Sequence, residues 1–320
     1  MSGAVSHIEV ARSSVLSDLV ALTKPRVLSL LLVTTIAPMF AASGAGSLPP
    51  WSLVLVVALA GYLMAGGANA INMWFDRDID ARMARTRTRP VPSGRIAPRV
   101  ALGFGIGLGA IAFWLFWQLV NPLSAGLALG GLLWYVWIYT VWLKRTSSQN
   151  IVVGGAAGAF PALVGGAAAT GRLELTAFYL FAIIFFWTPP HFWALALIKR
   201  REYAKVGVPM LPVVRGEERT RLEMLIYALV LVPLTLMPVA LGAFGWFYAA
   251  SAGALDLLLL WYCLRLWRPG GIPAAWKLYR YSLLYLFLLF LAMPIDRQIG
   301  PFSGQVPSNM VSFMRLTIAK

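Results

Sequence analysis

Residues 51–90 read WSLVLVVALAGYLMAGGANAINMWFDRDIDARMARTRTRP, an apolar run that ends in a segment rich in Asp and Arg. The run at about residues 52–74 is long enough to cross a membrane, because a hydrocarbon core of about 30 Å needs roughly 20 helical residues. Backbone groups have no water partners in lipid, and the run lacks the alternation of a barrel strand. The stretch therefore predicts a membrane helix with charged groups at its end.

Eight similar runs occur in the rest of the chain. They lie at about residues 28–46, 100–119, 122–143, 151–170, 175–197, 223–244, 248–267 and 280–296. The composition agrees: 59% of the 320 residues are hydrophobic, only 12% are charged, and the mean hydropathy is +0.74. A soluble domain carries about 25% charged residues, so a water-soluble enzyme and a disordered chain are excluded. We predict an all-α integral membrane protein with nine transmembrane helices.

The basic residues predict how the bundle is oriented. Lys and Arg number 27 against 12 Asp and Glu, and nine crossings place 23 of those 27 on one side. The positive-inside rule makes that side cytoplasmic, with the N-terminus inside and the C-terminus outside. In a membrane chain this excess indicates orientation and anionic ligands, not nucleic acid. We expect a cytoplasmic segment at 1–27, a transmembrane domain at 28–296 and a non-cytoplasmic tail at 297–320.

Asn72, Asp76 and Asp80 are spaced four apart at the end of the quoted helix. Four-residue spacing places them on one helix face. Like charges repel there, and the helix dipole disfavours anions at a C-terminus. A divalent cation would offset both effects. Mg²⁺ binds through one or two carboxylates plus substrate phosphates, so the three residues are candidate magnesium ligands and catalytic groups.

A cluster of arginines surrounds this stripe. Its members are Arg77, Arg82, Arg85, Arg87, Arg89 and Arg95. Arginine binds phosphate in a bidentate manner, so carboxylates, a divalent ion and arginines together predict a diphosphate site. Each arginine is also explained by a solvated loop that follows the positive-inside rule. Asp78 points to another face, as a second ligand or as the surface partner of an arginine.

A second informative segment is FFWTPPHFWALALIKRREY at 185–203. Pro189 and Pro190 predict a kink or an unwound turn. His191 lies within the span, where it could ligate haem iron, transfer protons or cap a carbonyl freed by the prolines. The surrounding aromatic residues form either an interfacial belt or the lining of an isoprenoid tunnel, where they would stabilise a carbocation.

Further polar residues lie at the cytoplasmic helix ends. The candidate substrate-binding or catalytic residues among them are Tyr139, Lys144, Arg145, Asn150, Lys199, Arg200 and Glu202. Orientation alone also explains Lys144 and Arg145. Asp256 lies in mid-span, a costly position for which the sequence indicates no partner. Glycine pairs spaced four apart, such as Gly105 and Gly109, indicate tight helix packing or a cavity.

The segment NMWFDRDIDARMARTRTRP at 72–90 resembles the first Asp-rich motif of the UbiA-type intramembrane prenyltransferase superfamily. Within it, LTKPRV (22–27), YTVWLKRTSSQNIVVGGAAGAFP (139–161) and WTPPHFWALALIKRREYAKVGVPMLPVVRG (187–216) closely resemble the protohaem IX farnesyltransferase, or haem O synthase, family. The resemblance covers about residues 20–295. It departs from many superfamily members at Met73, where they have Asp, and at Glu202, where they have a second Asp pair.

The resemblance implies a central cavity capped by cytoplasmic loops and the transfer of farnesyl from farnesyl diphosphate to a vinyl group of protohaem IX. Asn72, Asp76 and Asp80 would hold Mg²⁺ and diphosphate, and His191 would contact haem. The basic positions near the diphosphate would be Lys144, Arg145, Lys199 and Arg200. A bacterial cytoplasmic (inner) membrane is expected, with haem-copper oxidase assembly or haem A synthase as partners.

Two other functions remain open. One is a related prenyltransferase that acts on an aromatic or quinone precursor. The other is a haem or lipid transporter, which needs charge along a path through the bundle. Here the charge clusters on one face, which argues against transport.

Overall fold

The computed structural model describes residues 14–43, 47–268 and 271–299. Within these ranges nine helices are long and apolar enough to cross a membrane, as predicted, and the chain is a multi-pass membrane protein. They are α2 (Pro25–Ala42), α3 (Trp51–Phe75), α5 (Pro98–Leu119), the composite span Pro122–Thr146, α8 (Asn150–Thr170), α9 (Leu175–Ile198), α12 (Gly216–Ala240), α13 (Trp246–Trp267) and α14 (Gly271–Ile299). The predicted tail lies outside the described residues from position 300 onward.

Short helices complete the described chain. They are α1 (Val15–Thr23), α4 (Arg77–Arg82), α10 (Arg200–Lys205) and α11 (Leu211–Val214). The composite span consists of α6 (Pro122–Leu133), a π-helical stretch (Trp134–Leu143) and α7 (Lys144–Thr146). Hydropathy placed two helix starts too late: α12 begins at Gly216 rather than 223, and α14 at Gly271 rather than 280. Charged turns continue a helix beyond the apolar core because their backbone hydrogen bonds do not depend on lipid.

The helices pack in two groups that share α8 and α9. On one side α3 packs against α5, and α8 against α2 and α6. On the other side α9 contacts α12 and α14, and α13 contacts both of these. The largest buried apolar cluster belongs to this second group. Large apolar side chains such as Leu55 and Leu257 are exposed on the outer surface, where lipid would cover them.

Glycine allows the close crossing of α3 and α5. A Cβ on Gly105 would lie 2.8 Å from the carbonyl oxygen of Gly67 and 2.7 Å from Ile71 Cγ1. Backbones can approach this closely only where both helices lack side chains. The packing interpretation therefore holds at Gly105. The sequence has two further pairs spaced four apart, Gly126 with Gly130 and Gly154 with Gly158. Gly130 and Gly154 lie against Phe160 and Tyr139, whereas Gly126 and Gly158 have no atom within 4 Å of a Cβ.

The segment around Pro189 and Pro190 remains helical, so the unwound turn was a wrong prediction. Thr188 Oγ1 donates to the Ile184 carbonyl at 2.7 Å, which adds a bond one turn before the prolines. Packing against α12 and α14 compensates for the missing amide bonds, as neighbouring helices do for prolines in membrane helices. The segment thus presents His191 from a regular helix.

Two buried aspartates hold the second group together. Asp256 accepts hydrogen bonds from Thr235 Oγ1 at 2.5 Å and Tyr285 Oη at 2.6 Å, which supplies the partners that the sequence did not reveal. Asp296 accepts bonds from the amides of Gly245 and Tyr248 at 2.6 and 3.0 Å and so caps the start of α13. Both carboxylates serve helix packing.

Candidate active site

Asp76 lies at the junction between α3 and α4. The Asp76 amide donates to the Asn72 carbonyl at 2.9 Å, and the Asp80 amide donates to the Asp76 carbonyl at 2.8 Å. These bonds keep the four-residue register across the junction, so the three side chains point the same way. All three are buried. The structure thus brings together the stripe that the spacing predicted.

The stripe is tied to neighbouring elements by direct contacts. Asn72 Nδ2 donates to Asp76 Oδ2 at 2.8 Å and to Thr140 Oγ1 at 3.0 Å. Lys144 Nζ donates to the same Asp76 oxygen. Arg89 Nη1 donates to Asp80 Oδ2 at 2.6 Å. We call Asn72, Asp76, Asp80, Arg89 and Lys144 the carboxylate cluster.

These contacts correct one step of the sequence argument. That argument left the repulsion between Asp76 and Asp80 to be offset by a metal ion alone. The structure supplies a cation for each carboxylate, Lys144 for Asp76 and Arg89 for Asp80. The spacing could not reveal this, because Lys144 is 68 residues away in sequence from Asp76.

The π-helical stretch positions two members of the site. Thr140 Oγ1 donates to the Tyr135 carbonyl, five residues earlier, at 2.9 Å. π-Helical turns are rare and frequent at functional sites. Here the wider turn directs Thr140 towards Asn72, and the π-helical stretch ends just before Lys144. Hydrophobic periodicity gives no signal for such a turn.

Lys24 is a site residue that the sequence reasoning missed. It lies between α1 and α2 in a left-handed conformation with φ of 57°. Its Nζ donates to Asn69 Oδ1 at 3.2 Å and Asn72 Oδ1 at 3.1 Å. Burial first, and then the charges of Arg89 and Lys144, lower the pKa of Lys24 to about 7. The LTKPRV segment was the available signal, but it entered only as a resemblance.

Arg145 orders the outer edge of the site. Its guanidinium binds both oxygens of Asp78 at 2.7 and 2.8 Å and lies 4.8 Å above the Phe75 ring. The side-chain hydrogen bond from Arg145 lowers the pKa of Asp78 to about 2. The sequence left two roles open for Asp78, a second metal ligand or the partner of an arginine. The structure shows Asp78 as the partner of Arg145.

The site offers incomplete but suitable ligands for Mg²⁺. Asp76 Oδ1 is buried without a hydrogen-bond partner, although Arg145 Nη2 lies 3.7 Å away. An orphaned carboxylate oxygen suits a hard divalent cation. Among the described residues, no three His, Cys, Asp or Glu side chains gather as a metal site. The donors therefore fit an ion that takes most of its ligands from water and substrate phosphate.

Several predicted arginines lie outside the carboxylate cluster. Arg77 donates to the Trp74 carbonyl at 2.7 Å, and its guanidinium stacks on the Trp74 ring. Arg82 donates to the Asp78 carbonyl at 3.2 Å. Arg95 pairs with Asp18 and ties α1 to the loop after α4. The contacts of these three serve the loop, in agreement with the simpler interpretation.

Two further polar candidates lie on the composite span and at the start of α8. Asn150 is fully buried at the start of α8, and neither of its side-chain polar atoms has a partner. Tyr139 stacks on Tyr135, with centroids 5.5 Å apart, and lies close enough to Lys144 and Asp76 for charge interactions. A buried amide without partners is costly and is typical of a group that awaits a ligand.

His191 is enclosed by aromatic rings. It stacks between Trp187 at 4.5 Å and Tyr279 at 4.8 Å. Its Nδ1 lies 2.7 Å from Ser282 Oγ, whose hydroxyl donates to the Tyr279 carbonyl at 2.8 Å. His191 does not cap a proline-freed carbonyl, so that alternative was wrong.

The predicted group on α9 and α10 lies apart from these residues. Lys199 Nζ donates to Glu202 Oε1 at 2.9 Å, and Arg200 Nη1 donates to Glu217 Oε1 at 3.1 Å. All four line a groove of about 650 Å³ between the end of α9, the start of α12, the end of α13 and the start of α14. The carboxylate cluster contributes no residue to this groove.

Comparison with known proteins places this geometry in a family. The model of the UbiA prenyltransferase family matches residues 30–291. The chain belongs to the UbiA prenyltransferase family. The family that the sequence motifs implied is thus confirmed.

Similar sequences include proteins named protoheme IX farnesyltransferase. A protein named protoheme IX farnesyltransferase from Roseiflexus sp. (strain RS-1) is 54% identical over 288 residues, which cover 90% of this chain and 54% of that protein. The chain thus spans about half the length of this relative. A protein of the same name from Deinococcus radiodurans is 53% identical over 292 residues, which cover 88% of this chain and 93% of that protein.

Solved structures share the UbiA fold. Digeranylgeranylglyceryl phosphate synthase has a TM-score of 0.73 at 20% identity, over 89% of this chain and 99% of that one. A UbiA homologue from Archaeoglobus fulgidus, described as bound to GPP and Mg²⁺, has a TM-score of 0.63 at 15% identity, over 87% of this chain and 99% of that one. At these identities the likeness shows the fold alone.

Proposed function

We propose that this protein transfers the farnesyl group of farnesyl diphosphate to a vinyl group of protohaem IX, which yields haem O. The buried carboxylate cluster is the observation that carries the proposal, because it combines carboxylate oxygens with cations at a helix end. The relatives named protoheme IX farnesyltransferase support haem as the acceptor.

The cluster suits the departure of diphosphate. Cleavage of the bond between farnesyl C1 and oxygen leaves the bonding electrons on diphosphate, so the leaving group gains charge. Lys144 and Arg89 are preorganised cations that stabilise such charge in a site shielded from water, and Lys24 adds to them in its protonated form. Mg²⁺, when bound at Asp76 and Asp80 with Asn72 nearby, supplies further neutralisation of the phosphate oxygens.

The acceptor step depends more on stabilising a cation than on proton transfer. The vinyl π electrons form the new carbon–carbon bond to C1, which leaves a cation beside the porphyrin ring. Water adds to that cation and releases a proton, which gives the hydroxyethylfarnesyl group. Aromatic rings such as Trp187 and Tyr279, which flank His191, would stabilise positive charge by cation–π attraction.

The same proposal covers the remaining candidates and the cellular setting. Arg145 orders the α3–α4 junction through Asp78, Tyr139 and Asn150 line the substrate side, and His191 contacts haem. We place the protein in a bacterial cytoplasmic membrane, with its N-terminus inside and its C-terminus outside, on the distribution of Lys and Arg. Haem A synthase and haem-copper oxidase assembly are the proposed partners.

One assay tests the reaction. The purified protein in nanodiscs is incubated with farnesyl diphosphate, Mg²⁺ and haem, and mass spectrometry follows the porphyrin. We expect a haem product heavier by one farnesyl group plus one hydroxyl group, and its loss in excess chelator. No product with haem, together with prenylation of an aromatic acid such as 4-hydroxybenzoate, would overturn the choice of acceptor and favour the aromatic-prenyltransferase alternative.

A further inference from the structure

The groove at the cytoplasmic ends of α9, α12, α13 and α14 is separate from the carboxylate cluster. Its volume of about 650 Å³ is within the range of small-molecule sites. Leu197, Leu266, Ile272 and Ala275 form apolar parts of its lining. The groove thus offers an apolar surface at the level where the membrane meets the cytoplasm.

The charged lining of the groove is unbalanced. Four cations, Lys199, Arg200, Arg201 and Arg221, face two carboxylates, Glu202 and Glu217. Glu217 accepts from both Arg200 and Arg221, at 3.1 and 2.9 Å. Lys199 pairs with Glu202, and Arg201 has no ion pair among the described residues. An excess of two positive charges remains, and it matches a dianionic ligand.

Unsatisfied groups indicate that the groove is built for polar contacts. Arg221 Nε and Glu202 Oε2 are buried atoms without hydrogen-bond partners. Buried polar atoms are rarely left unpaired, and a guanidinium that uses one edge for Glu217 has another edge available for a carboxylate. A ligand with carboxylates would complete the guanidinium contacts.

The short helix α10 forms part of the groove. Arg200, Arg201, Glu202 and Ala204 line the groove. Tyr203, between them in sequence, is buried in the apolar cluster against which Tyr139 and Tyr279 pack. Helix α10 thus joins the groove to the apolar cluster that includes Trp187 and contacts Tyr279, the two rings around His191.

We propose that the groove binds the paired carboxylates of an amphipathic acceptor, namely the two propionates of protohaem IX, while the prenyl diphosphate occupies the carboxylate cluster. The inference rests on the proposed function, since it assigns the acceptor of that reaction to a second site. It also changes the role of Arg200 and Lys199 from diphosphate contacts, as the resemblance implied, to acceptor contacts.

The test separates the two substrates. Arg200→Gln and Arg221→Gln are compared with Arg219→Gln, an exposed control on α12 whose partner Glu223 lies outside the groove. Haem affinity is measured by optical titration with protohaem and with its neutral dimethyl ester. We expect the two groove variants to bind protohaem about tenfold or more weakly, since loss of a charge-assisted bond weakens binding on this scale. Their affinity for the ester should match that of the wild type and of Arg219→Gln.

Kinetics provide the second readout. In turnover, the groove variants should raise KM for haem and leave KM for farnesyl diphosphate unchanged. A raised KM for farnesyl diphosphate with normal haem binding would overturn the inference and restore the diphosphate role. Equal losses with protohaem and its ester would also overturn it.

Two further outcomes are distinguishable. If native mass spectrometry shows that the groove variants lose phosphatidylglycerol but bind haem normally, the groove is a lipid headgroup site and the inference fails. If the wild type binds haem in a propionate-dependent manner but forms no farnesylated product, the proposed function fails while the groove assignment stands.

Discussion

At the scale of single residues, the proposed function depends most on Asp76. It is fully buried, it accepts hydrogen bonds from Asn72 and Lys144, and it retains one oxygen without a partner. A buried charge with one satisfied oxygen is costly. The arrangement is therefore explained better by ligand binding than by stability.

Replacing Asp76 by Asn tests this role. We expect a fall in kcat/KM for farnesyl diphosphate of about 10²–10³-fold, on the scale of losing one preorganised electrostatic contact. The variant also leaves Lys144 buried without a counter-charge, which costs about 3–5 kcal/mol of stability. Activity and thermal unfolding are measured together, with Asp78→Asn as a half-exposed control.

The double variant Asp76→Asn/Lys144→Gln separates the two effects. We expect it to recover most of the lost stability, because no unpaired charge remains, and to stay inactive. Recovery of activity along with stability would show that Asp76 acts only as a structural partner of Lys144.

The spacing of Asn72, Asp76 and Asp80 allowed the stripe to be predicted from sequence, because a four-residue repeat is a local property of a helix. The cations that meet the stripe could not be predicted in the same way. Lys24 is 48 residues from its partner Asn72. Only the packing of α2 and the composite span against α3 decides that Lys24 and Lys144 reach these side chains.

At the scale of helices, the α3–α5 crossing gives a clean prediction. Gly105→Ala places a methyl group against the Gly67 carbonyl and should destabilise the bundle by about 1–3 kcal/mol, as overpacking does. Gly107→Ala on the same helix meets no atom within 4 Å and should be neutral or stabilising by up to about 1 kcal/mol. Thermal unfolding in one detergent measures both, and equal melting temperatures would contradict the close crossing.

The α12–α13–α14 group supplies a second helix-scale prediction. Asp256→Ala leaves Tyr285 without its acceptor and Thr235 with only the Val232 carbonyl, and it should cost about 1–3 kcal/mol of stability. Activity per folded molecule should be unchanged, because the carboxylate serves packing. A large fall in kcat with normal stability would instead assign Asp256 to catalysis.

At the scale of the whole molecule, the nine spans followed from apolar length, because lipid imposes that length directly. The starts of α12 and α14 could not be predicted in this way. Their first turns lie in water, where hydropathy no longer marks a helix. The groove at the end of α9 was also hidden, since four separate helices form it.

The orientation of the molecule can be measured with single introduced cysteines. Thr88→Cys lies on the predicted cytoplasmic side, and Arg172→Cys on the opposite side, and both positions are exposed. The native Cys263 is buried and should not react. In intact spheroplasts an impermeant maleimide should label Arg172→Cys alone, and labelling of Thr88→Cys alone would invert the topology.

The most direct measurement is a structure of the protein with Mg²⁺ and farnesyl thiodiphosphate, an analogue that resists cleavage. The account predicts that the diphosphate lies in the carboxylate cluster, with a metal ion on Asp76 Oδ1 and phosphate oxygens within reach of Lys144 and Arg89. A diphosphate bound instead to Arg200 and Arg221 in the groove, with Asp76 contacting no metal ion, would contradict it.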